Sequence, residues 1–370
     1  MNIKNPKRYY SDPDILKNTG EYVKPYTNRP VIIGGERALA SSLQEVEQSL
    51  SSTGINVCSV KTFTGFPSVR QFQMYAEEIK KQEADSVIVL GGGRAIDTAK
   101  AAGALANVPV IAIPTVAATC AAWAALVIQY DDEGSYVGRI LVDDSPAVVI
   151  ADTKVLLSTP RRYLFSGVVD TFAKYYEIRP VFEKDPSQIH MDIAYYASKI
   201  AFQKLEENTF KALDEAEKGV FGQPAKDVVD SIIYLAGFAG AFQTHTGGYC
   251  FAHPFYHISA RFPSTRFRMH GEKVAFGILV QLVLEKKDKQ YIYDTIELFD
   301  RYENAFTLED IGLDPEDDAQ LFSLSADIKK VFSYVYWEQE DIISAIKEAD
   351  DLAKRYKERC NVRYKDRKEL

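Results

Sequence analysis

The sequence predicts an α/β N-terminal half built on a parallel sheet, followed by an all-helical C-terminal half. Three observations carry that expectation. Short Val- and Ile-rich runs alternate with helical patterns up to about Asp152. One such run, Ser86 to Leu90, leads straight into Gly91, Gly92 and Gly93, a helical stretch from Arg94 to Leu105, and a second apolar run from Val108 to Ile113. After Pro160 strand-like runs nearly vanish and helical periodicity takes over. A chain of 370 residues is long enough for two domains, and the change of character sets them at residues 1–159 and 160–370.

Taken in order, Pro30 to Ile33 is the first buried strand, followed by Gly34, Gly35 and Glu36 and a helix from Ala38 to Leu50. Ile55 to Val60 reads as a second strand. Ser68 to Gln82 reads as an amphipathic helix with Ser68 as its cap. The stretch Ala84 to Thr119 then gives strand, glycine turn, helix and strand, with lengths suited to a parallel βαβ crossover. Tyr136 to Leu141, beside the turn signal Asp131–Gly134, and Ala147 to Ala151 are later strands. In the second half, helical periodicity covers Gly167 to Glu177, Ile189 to Glu217, Ala225 to Thr244, Glu272 to Glu285 and Glu340 to Arg359. The charged tail from Lys357 to Leu370 reads as a solvated helix end.

Composition narrows the function. Hydrophobic residues at 46% and charged residues at 26% are ordinary for a soluble globular protein. A net charge of −8 argues against nucleic acid and against an anionic membrane as partners. No apolar run reaches the length of a membrane span, and the N-terminal residues lack the apolar core of a signal peptide. Cys58, Cys120, Cys250 and Cys360 lie far apart with no CxxC pair, which fits a reducing cytoplasm and argues against a zinc ribbon. The expected partner is a small molecule, and the helical faces of the second half suit a homo-oligomer.

Two stretches carry chemistry. Glycines after a buried strand let backbone N–H groups approach a phosphate, and the helix behind them presents unpaired donors and partial positive charge. The pattern departs from the G-x-G-x-x-G dinucleotide fingerprint, because Ile96 stands where the third glycine belongs. The second stretch is marked by histidines. Of the five in the chain, His253 and His257 are spaced i, i+4 and share one helix face, and His270 follows a loop holding Pro263, Ser264, Arg266 and Arg268. Two imidazoles from neighbouring helices plus a carboxylate make a three-ligand site for Zn²⁺ or Fe²⁺ with an open position. Asp170, in the apolar setting SGVVDTFAKYYE, supplies that carboxylate or else serves as a charge near a helix N-terminus. Lys174, one turn on, is no ligand at neutral pH and is either a substrate cation or a surface lysine.

In chain order, GGG-xxx-D-xx-K (Gly91, Gly92, Gly93, Asp97, Lys100), Pro114–Thr115, SGVVD ending in Asp170, Ala252–His253 and HGEKVAFG (His270 to Gly277) resemble the iron-containing alcohol dehydrogenase superfamily. The likeness covers nearly the whole chain and is strongest to the glycerol-dehydrogenase-like branch. Within it, PTVAATCAAWAAL (Pro114 to Leu126) is similar to the hydroxycarboxylate dehydrogenase A subgroup, NAD(P)H-dependent reducers of 2-oxo acids. The resemblance implies a dehydroquinate synthase-like, Rossmann-like first domain and a cofactor in the cleft beside the helical domain. It implies a divalent metal held by Asp170, His253 and His270. It also implies cofactor contacts at Glu36, Gly92, Gly93, Asp97, Thr115, Leu126 and Tyr130, with Asp97 at the ribose or nicotinamide end, and a catalytic His257 that relays a proton.

Departures from the family pattern sharpen these expectations. Lys174 stands where the iron-dependent branch carries a fourth ligand, a histidine, which favours zinc over iron. Cys120 stands where glycerol dehydrogenases carry an aspartate that binds glycerol hydroxyls. A neutral residue there weakens polyol binding and removes a repulsion toward a carboxylate that is large at ~4 Å in a low dielectric. Lys174, Arg266 and Arg268 are candidate partners for a substrate carboxylate. Glu36 can accept ribose hydroxyls and repel a 2′-phosphate, which favours NAD(H) over NADP(H). The expected enzyme is a metal-dependent oxidoreductase moving hydride between NAD(P)H and a small 2-oxo acid. The alternatives are an NAD-dependent glycerol or other vicinal-diol dehydrogenase and, further off, a metal-dependent lyase on the same superfold.

Overall fold

The computed structural model describes residues 3–184, 188–243 and 250–360. Thr244 (the expected end of a helix), His245 and residues 361–370 of the charged tail lie outside the described residues. The chain folds as two compact units, Met1–Leu164 with Tyr196–Phe242 and Phe165–Tyr195 with Gln243–Leu370.

The first unit is the expected α/β half. Its strands are β1 (Arg8–Asp12), β2 (Pro30–Gly35), β3 (Ser59–Phe63), β4 (Ser86–Gly91), β5 (Val110–Pro114), β6 (Leu126–Tyr130), β7 (Tyr136–Leu141) and β8 (Val148–Asp152). Six of them form one sheet in the order β1-β8-β5-β4-β2-β3, every pair parallel. Helices α1 (Thr19–Val23), α2 (Glu36–Ser52), α3 (Val69–Lys81), α4 (Gly93–Ala106) and α5 (Thr153–Leu157) lie among the strands. The central strands are continuous apolar runs, with Val31 to Ile33, Val87 to Leu90 and Ile111 to Ile113 all at most 1% exposed, because a parallel sheet is covered on both faces. Each such side chain contributes roughly 1.5–3 kcal/mol by leaving water. Strand order reverses between β2 and β4: β2 leads to β3 on one side, while β4, β5 and β8 step away on the other. Such a switch point opens a crevice at the carboxyl ends of its strands.

Two strands differ from the sequence reading for physical reasons. The strand expected at Ile55–Val60 sits at Ser59–Phe63, because Ile55 belongs to the end of α2. Gly54, at φ +79°, donates to Ser51 O and Ile55 donates to Leu50 O, a Schellman closure that buries Ile55 with Leu50. Tyr136–Leu141 forms, but it pairs antiparallel with β6 in a hairpin outside the main sheet. Val137, Arg139 and Leu141 face solvent, the one-sided pattern of antiparallel pairing.

The first unit also takes in a later stretch, Tyr196–Phe242, that the sequence reading gave to the helical half. Helices α6 (Arg161–Lys184), α7 (Ile189–Ala216), α8 (Gln223–Asp230) and α9 (Ala236–Gln243) follow, with a π-helical turn at Ser231–Leu235 between the last two. Most of α7, all of α8 and nearly all of α9 belong to the α/β unit. Tyr9 of β1 donates to Asp230 at 2.7 Å, Lys226 pairs with Asp12 at 3.0 Å, and a Cβ on Gly237 would fall 2.4 Å from Trp123. Helical periodicity reveals that a helix has an apolar face but not which neighbour receives it.

The described residues of the second unit contain helices and no strand. Besides α6 they are α10 (Ala252–Ser259), α11 (His270–Leu284), α12 (Lys289–Arg301), α13 (Leu308–Ile311), α14 (Asp318–Val331) and α15 (Gln339–Cys360). Nearly every residue of α11 is buried, so it is the central helix of the unit, packed by α10, α12, α13 and α15.

Candidate functional site

In the first unit, the glycine-ended strands β2 and β4 lie side by side, with Gly34 opposite Leu90. Gly35 and Gly92 are the N-caps of α2 and α4, and neither helix takes a side-chain cap. By contrast, Ser68 caps α3 and Asp152 caps α5 with their own oxygens. The two helix ends at the switch point therefore keep their first-turn N–H groups for something other than a side chain of their own N-cap. Packing accounts for two of the three glycines: a Cβ on Gly91 would fall 2.9 Å from Ala95, and one on Gly92 would fall 2.9 Å from Val116. On Gly93 it would meet only ordinary contacts, Thr119 at 3.4 Å and Ala121 at 3.5 Å.

Other residues expected around the cofactor are distributed along this edge. Glu36 is exposed as the first residue of α2. Thr115 follows β5, and its N–H donates to Gly91 O at 3.1 Å. Leu126 and Tyr130 are the first and last residues of β6, with the Tyr130 ring 5.9 Å from Phe66. Cys120 is half-buried, and its carbonyl accepts the Trp123 N–H at 2.9 Å. Asp97 is buried, Oδ1 lies 2.7 Å from Lys100 Nζ, and Oδ2 accepts the Ile128 N–H at 3.0 Å. Lys100 also donates to the carbonyls of Ala121, Ala124 and Leu126. The D-xx-K pair is thus an internal fastener that ties α4 to the 121–128 segment.

The second unit brings the three expected metal ligands together. Asp170 comes from α6, His253 from the first turn of α10, and His270 is the first residue of α11. Asp170 Oδ1 lies 3.1 Å from His253 Nε2 and 2.9 Å from His270 Nε2, and all three donor atoms fall within 4.8 Å of one another. On a tetrahedral ion with bonds of about 2.0–2.2 Å, donors stand roughly 3.3–3.6 Å apart. The triad fits a divalent cation after a small outward movement. Burial pushes the Asp170 carboxyl up, but His270, His253 and Lys174 outweigh it and hold the group well below the usual carboxylate range. Burial pushes His270 down, and Asp170 offsets this only partly. The site therefore combines a carboxylate with an imidazole that favours its neutral, ligating form.

Close helix approach creates this geometry, and the HGEKVAFG stretch supplies it. A Cβ on Gly271 would fall 2.2 Å from the Ser166 carbonyl oxygen of α6, and one on Gly277 would fall 2.8 Å from the Ala252 carbonyl oxygen of α10. The Gly271 N–H donates to Ser166 Oγ at 2.9 Å. Glu272 accepts the N–H of the N-cap Met269 at 2.9 Å and fixes the helix start at His270. Two glycines thus bring α6 and α10 against α11 at the height of the ligands.

Lys174 reaches the triad, with Nζ 3.3 Å from His253 Nε2. His257 lies one turn after His253 on α10, its ring alongside Phe332 at 5.9 Å. Arg266 is exposed and Arg268 half-buried in the turn before α11. The sequence reading missed Glu177 and Cys250. Glu177 Oε2 lies 2.6 Å from His253 Nδ1, and Oε1 accepts from the His253 N–H at 3.0 Å and from Cys250 Sγ at 2.8 Å. Burial raises the Glu177 carboxyl, but His253, Lys174 and Cys250 overcome this and hold it at about 2. The signal for Glu177 was available: Asp170, Lys174 and Glu177 at i, i+4 and i+7 share one face of α6.

Comparison with known proteins places the chain in a family. The family profile of the iron-containing alcohol dehydrogenases matches residues 6–153. A glycerol dehydrogenase of Escherichia coli O6:H1 is 31% identical over 76% of this chain and 77% of its own. Hydroxycarboxylate dehydrogenase A of Escherichia coli K12 is 29% identical over 86% of this chain and 87% of its own. The crystal structure of glycerol dehydrogenase from Schizosaccharomyces pombe shares the fold, with a TM-score of 0.85 at 23% identity over 98% of this chain and 93% of that one. The chain belongs to the iron-containing alcohol dehydrogenase family and is an oxidoreductase of the glycerol dehydrogenase type.

Proposed function

We propose that this family member is a divalent-metal-dependent, NAD(H)-linked dehydrogenase of small vicinal diols, glycerol among them. The observation that carries the reading is the triad of buried Asp170 with half-buried His253 and His270, whose donor set suits a catalytic cation. The diol assignment draws support from the relatives named glycerol dehydrogenase, at 31% and 28% identity. They reverse the order in which the sequence ranks the two substrate classes.

When bound, the cation supplies Lewis-acid polarisation of the substrate oxygen, and the nicotinamide carries the hydride. Asp170 would bring the negative charge that holds the cation, and His253 and His270 would each offer a ring nitrogen. The N–H groups at the start of α4, with Gly92 and Gly93, receive the pyrophosphate. Glu36 accepts the ribose hydroxyls and disfavours a 2′-phosphate, so NAD(H) is preferred. Thr115, Leu126 and Tyr130 line the rest of the cofactor's path, and His257 relays the proton of the reacting hydroxyl. Zinc is favoured over iron, since Lys174 stands at the fourth-ligand position. A reducing, cytoplasmic setting and a homo-oligomeric state complete the proposal. The four cysteines are thiols rather than disulfides, and no helix among the described residues is long and apolar enough to cross a membrane.

A second reading, reduction of a small 2-oxo acid, draws on one observation. Lys174 puts an ammonium 3.3 Å from His253 Nε2, within reach of a carboxylate beside the reacting carbon, while Cys120 adds no opposing charge. Parallel assays decide between them: zinc-loaded protein with NAD⁺ or NADP⁺ and glycerol or other vicinal diols, against NADH or NADPH and 2-oxobutanoate. The proposal expects diol oxidation with NAD⁺ to exceed 2-oxo acid reduction in kcat/KM. The reverse order overturns it in favour of the acid, and a tenfold NADP(H) preference overturns the role of Glu36.

A further inference from the structure

We infer that Glu177, with Cys250 as its auxiliary donor, is a positioning residue that fixes His253 in the tautomer able to bind a cation through Nε2, and so sets how tightly the cation is held. The inference rests on the metal-centre reading above and concerns residues outside the ligand triad.

The argument begins with α6. Its face carrying Asp170, Lys174 and Glu177 holds His253 from both edges of the ring. Asp170 and Lys174 approach Nε2, and Glu177 approaches Nδ1. The Glu177 side chain is fully buried, and its carboxylate is an acceptor only. Its two oxygens receive three donors: His253 Nδ1, the His253 backbone N–H and the Cys250 thiol. A cation bound at Nε2 would leave the ring's one proton on Nδ1, where the Glu177 carboxylate at 2.6 Å accepts it. The same carboxylate anchors the backbone of the ring it orients. Helix α10 has no capping side chain at Phe251, and two of its early N–H groups are satisfied from other helices. His253 N–H goes to Glu177 of α6, and Phe251 N–H goes to Gln281 Oε1 of α11 at 3.0 Å. Glu177 therefore acts on both the ring edge and the backbone of His253.

This arrangement makes glutamine a poor substitute despite its equal size. An amide has one accepting oxygen and one NH₂ group. If the NH₂ faces His253 Nδ1, the ring proton is driven to Nε2 and blocks the ligating lone pair. If it faces the other way, it meets the backbone N–H and the thiol, donor against donor.

The test uses full-length protein, wild type and Glu177→Gln, stripped of metal and reloaded. Zinc Kd is measured by competition with a chromophoric chelator, visible bands are recorded with Co²⁺ in the site, and far-UV circular dichroism checks the fold. The expected result is a folded Glu177→Gln protein with zinc bound roughly 10–100-fold more weakly and with shifted Co²⁺ bands. Cys250→Ala, which removes one of three donors, should weaken binding by less than about tenfold. A folded Glu177→Gln protein with wild-type zinc affinity and unchanged Co²⁺ bands overturns the inference, because a purely structural cap would leave both alone. If Glu177→Gln does not fold, Glu177→Asp carries the test, since it keeps the charge but withdraws it from Nδ1. Weakened zinc binding there supports the inference, and unchanged binding overturns it. Wild-type protein that holds no zinc at the triad would instead sink the metal-centre reading itself.

Discussion

The glycine edge of the sheet and the metal triad of the helical unit solve opposite problems. At the edge, the proposed cofactor site depends on side chains being absent: Gly35 and Gly92 leave two helix N-termini without side-chain caps. At the triad, function depends on side chains being concentrated, from three stretches far apart in sequence. Glycine matters to both in different ways. Along the edge it exposes backbone donors, whereas at the triad Gly271 and Gly277 let helices approach until their side chains meet. A backbone site is local and is built by one crossover. A side-chain site is non-local and is only as good as the packing that converges on it.

The sharpest way to break this comparison is to remove a convergent side chain. Asp170→Ala or His270→Ala should eliminate bound metal and lower turnover on the order of a thousandfold or more, as loss of several kcal/mol of Lewis-acid stabilisation requires. Elemental analysis beside steady-state kinetics checks it, and full turnover in either variant removes that residue from the ligand set. Next comes the fastener behind the backbone site. Lys100→Met leaves Asp97 buried and uncompensated, so denaturant unfolding should show a loss of about 3–5 kcal/mol. A loss below ~1 kcal/mol would mean that the glycine edge needs no side-chain support.

The third prediction concerns pH. Lys273 of α11 is buried, its ammonium 5.2 Å from the Tyr256 ring, and burial pushes it down to about 8 against the pull of Glu272. The folded value lies below the unfolded one, so the charged form is penalised only in the folded protein. The penalty is fully present below about pH 8 and is relieved as pH rises toward about 10.5, a gain of roughly 3 kcal/mol across that window. Unfolding curves for Lys273→Met should lack this rise, and an equally steep rise in the variant would contradict the assignment. The smallest effects contrast the two uses of glycine. Gly271→Ala drives a methyl into Ser166 and should cost about 1–3 kcal/mol while loosening metal. Gly93→Ala should change stability by no more than ~0.5 kcal/mol yet raise the NADH Kd roughly tenfold, because the added methyl would hold the phosphate off the N–H that alanine keeps. If Gly93→Ala binds NADH as wild type does, the phosphate belongs elsewhere.

The same contrast explains what the sequence made legible. The strand–glycine–helix unit was readable because β4, α4 and β5 are contiguous and each has its own period. Edge pieces were not: β1 is a polar RYYSD stretch, and the Ile55 signal came from a helix end rather than a strand. Asp170, His253 and His270 were grouped by resemblance, since nothing in their spacing brings α6, α10 and α11 together. Glu177 escaped because a buried acid seven residues from another looks, in one dimension, like an ordinary helix charge.

Because the chain passes from one unit to the other after Leu164, Tyr195 and Phe242, neither unit is a single uninterrupted length of polypeptide. No one scission can yield two self-sufficient fragments. A cut near residue 160 would deprive the sheet of Tyr9's partner Asp230 and of the glycine that seats Trp123. Truncated halves should therefore be insoluble when expressed alone, and complementation by co-expression would have to return residues 196–242 of the second fragment to the sheet of the first.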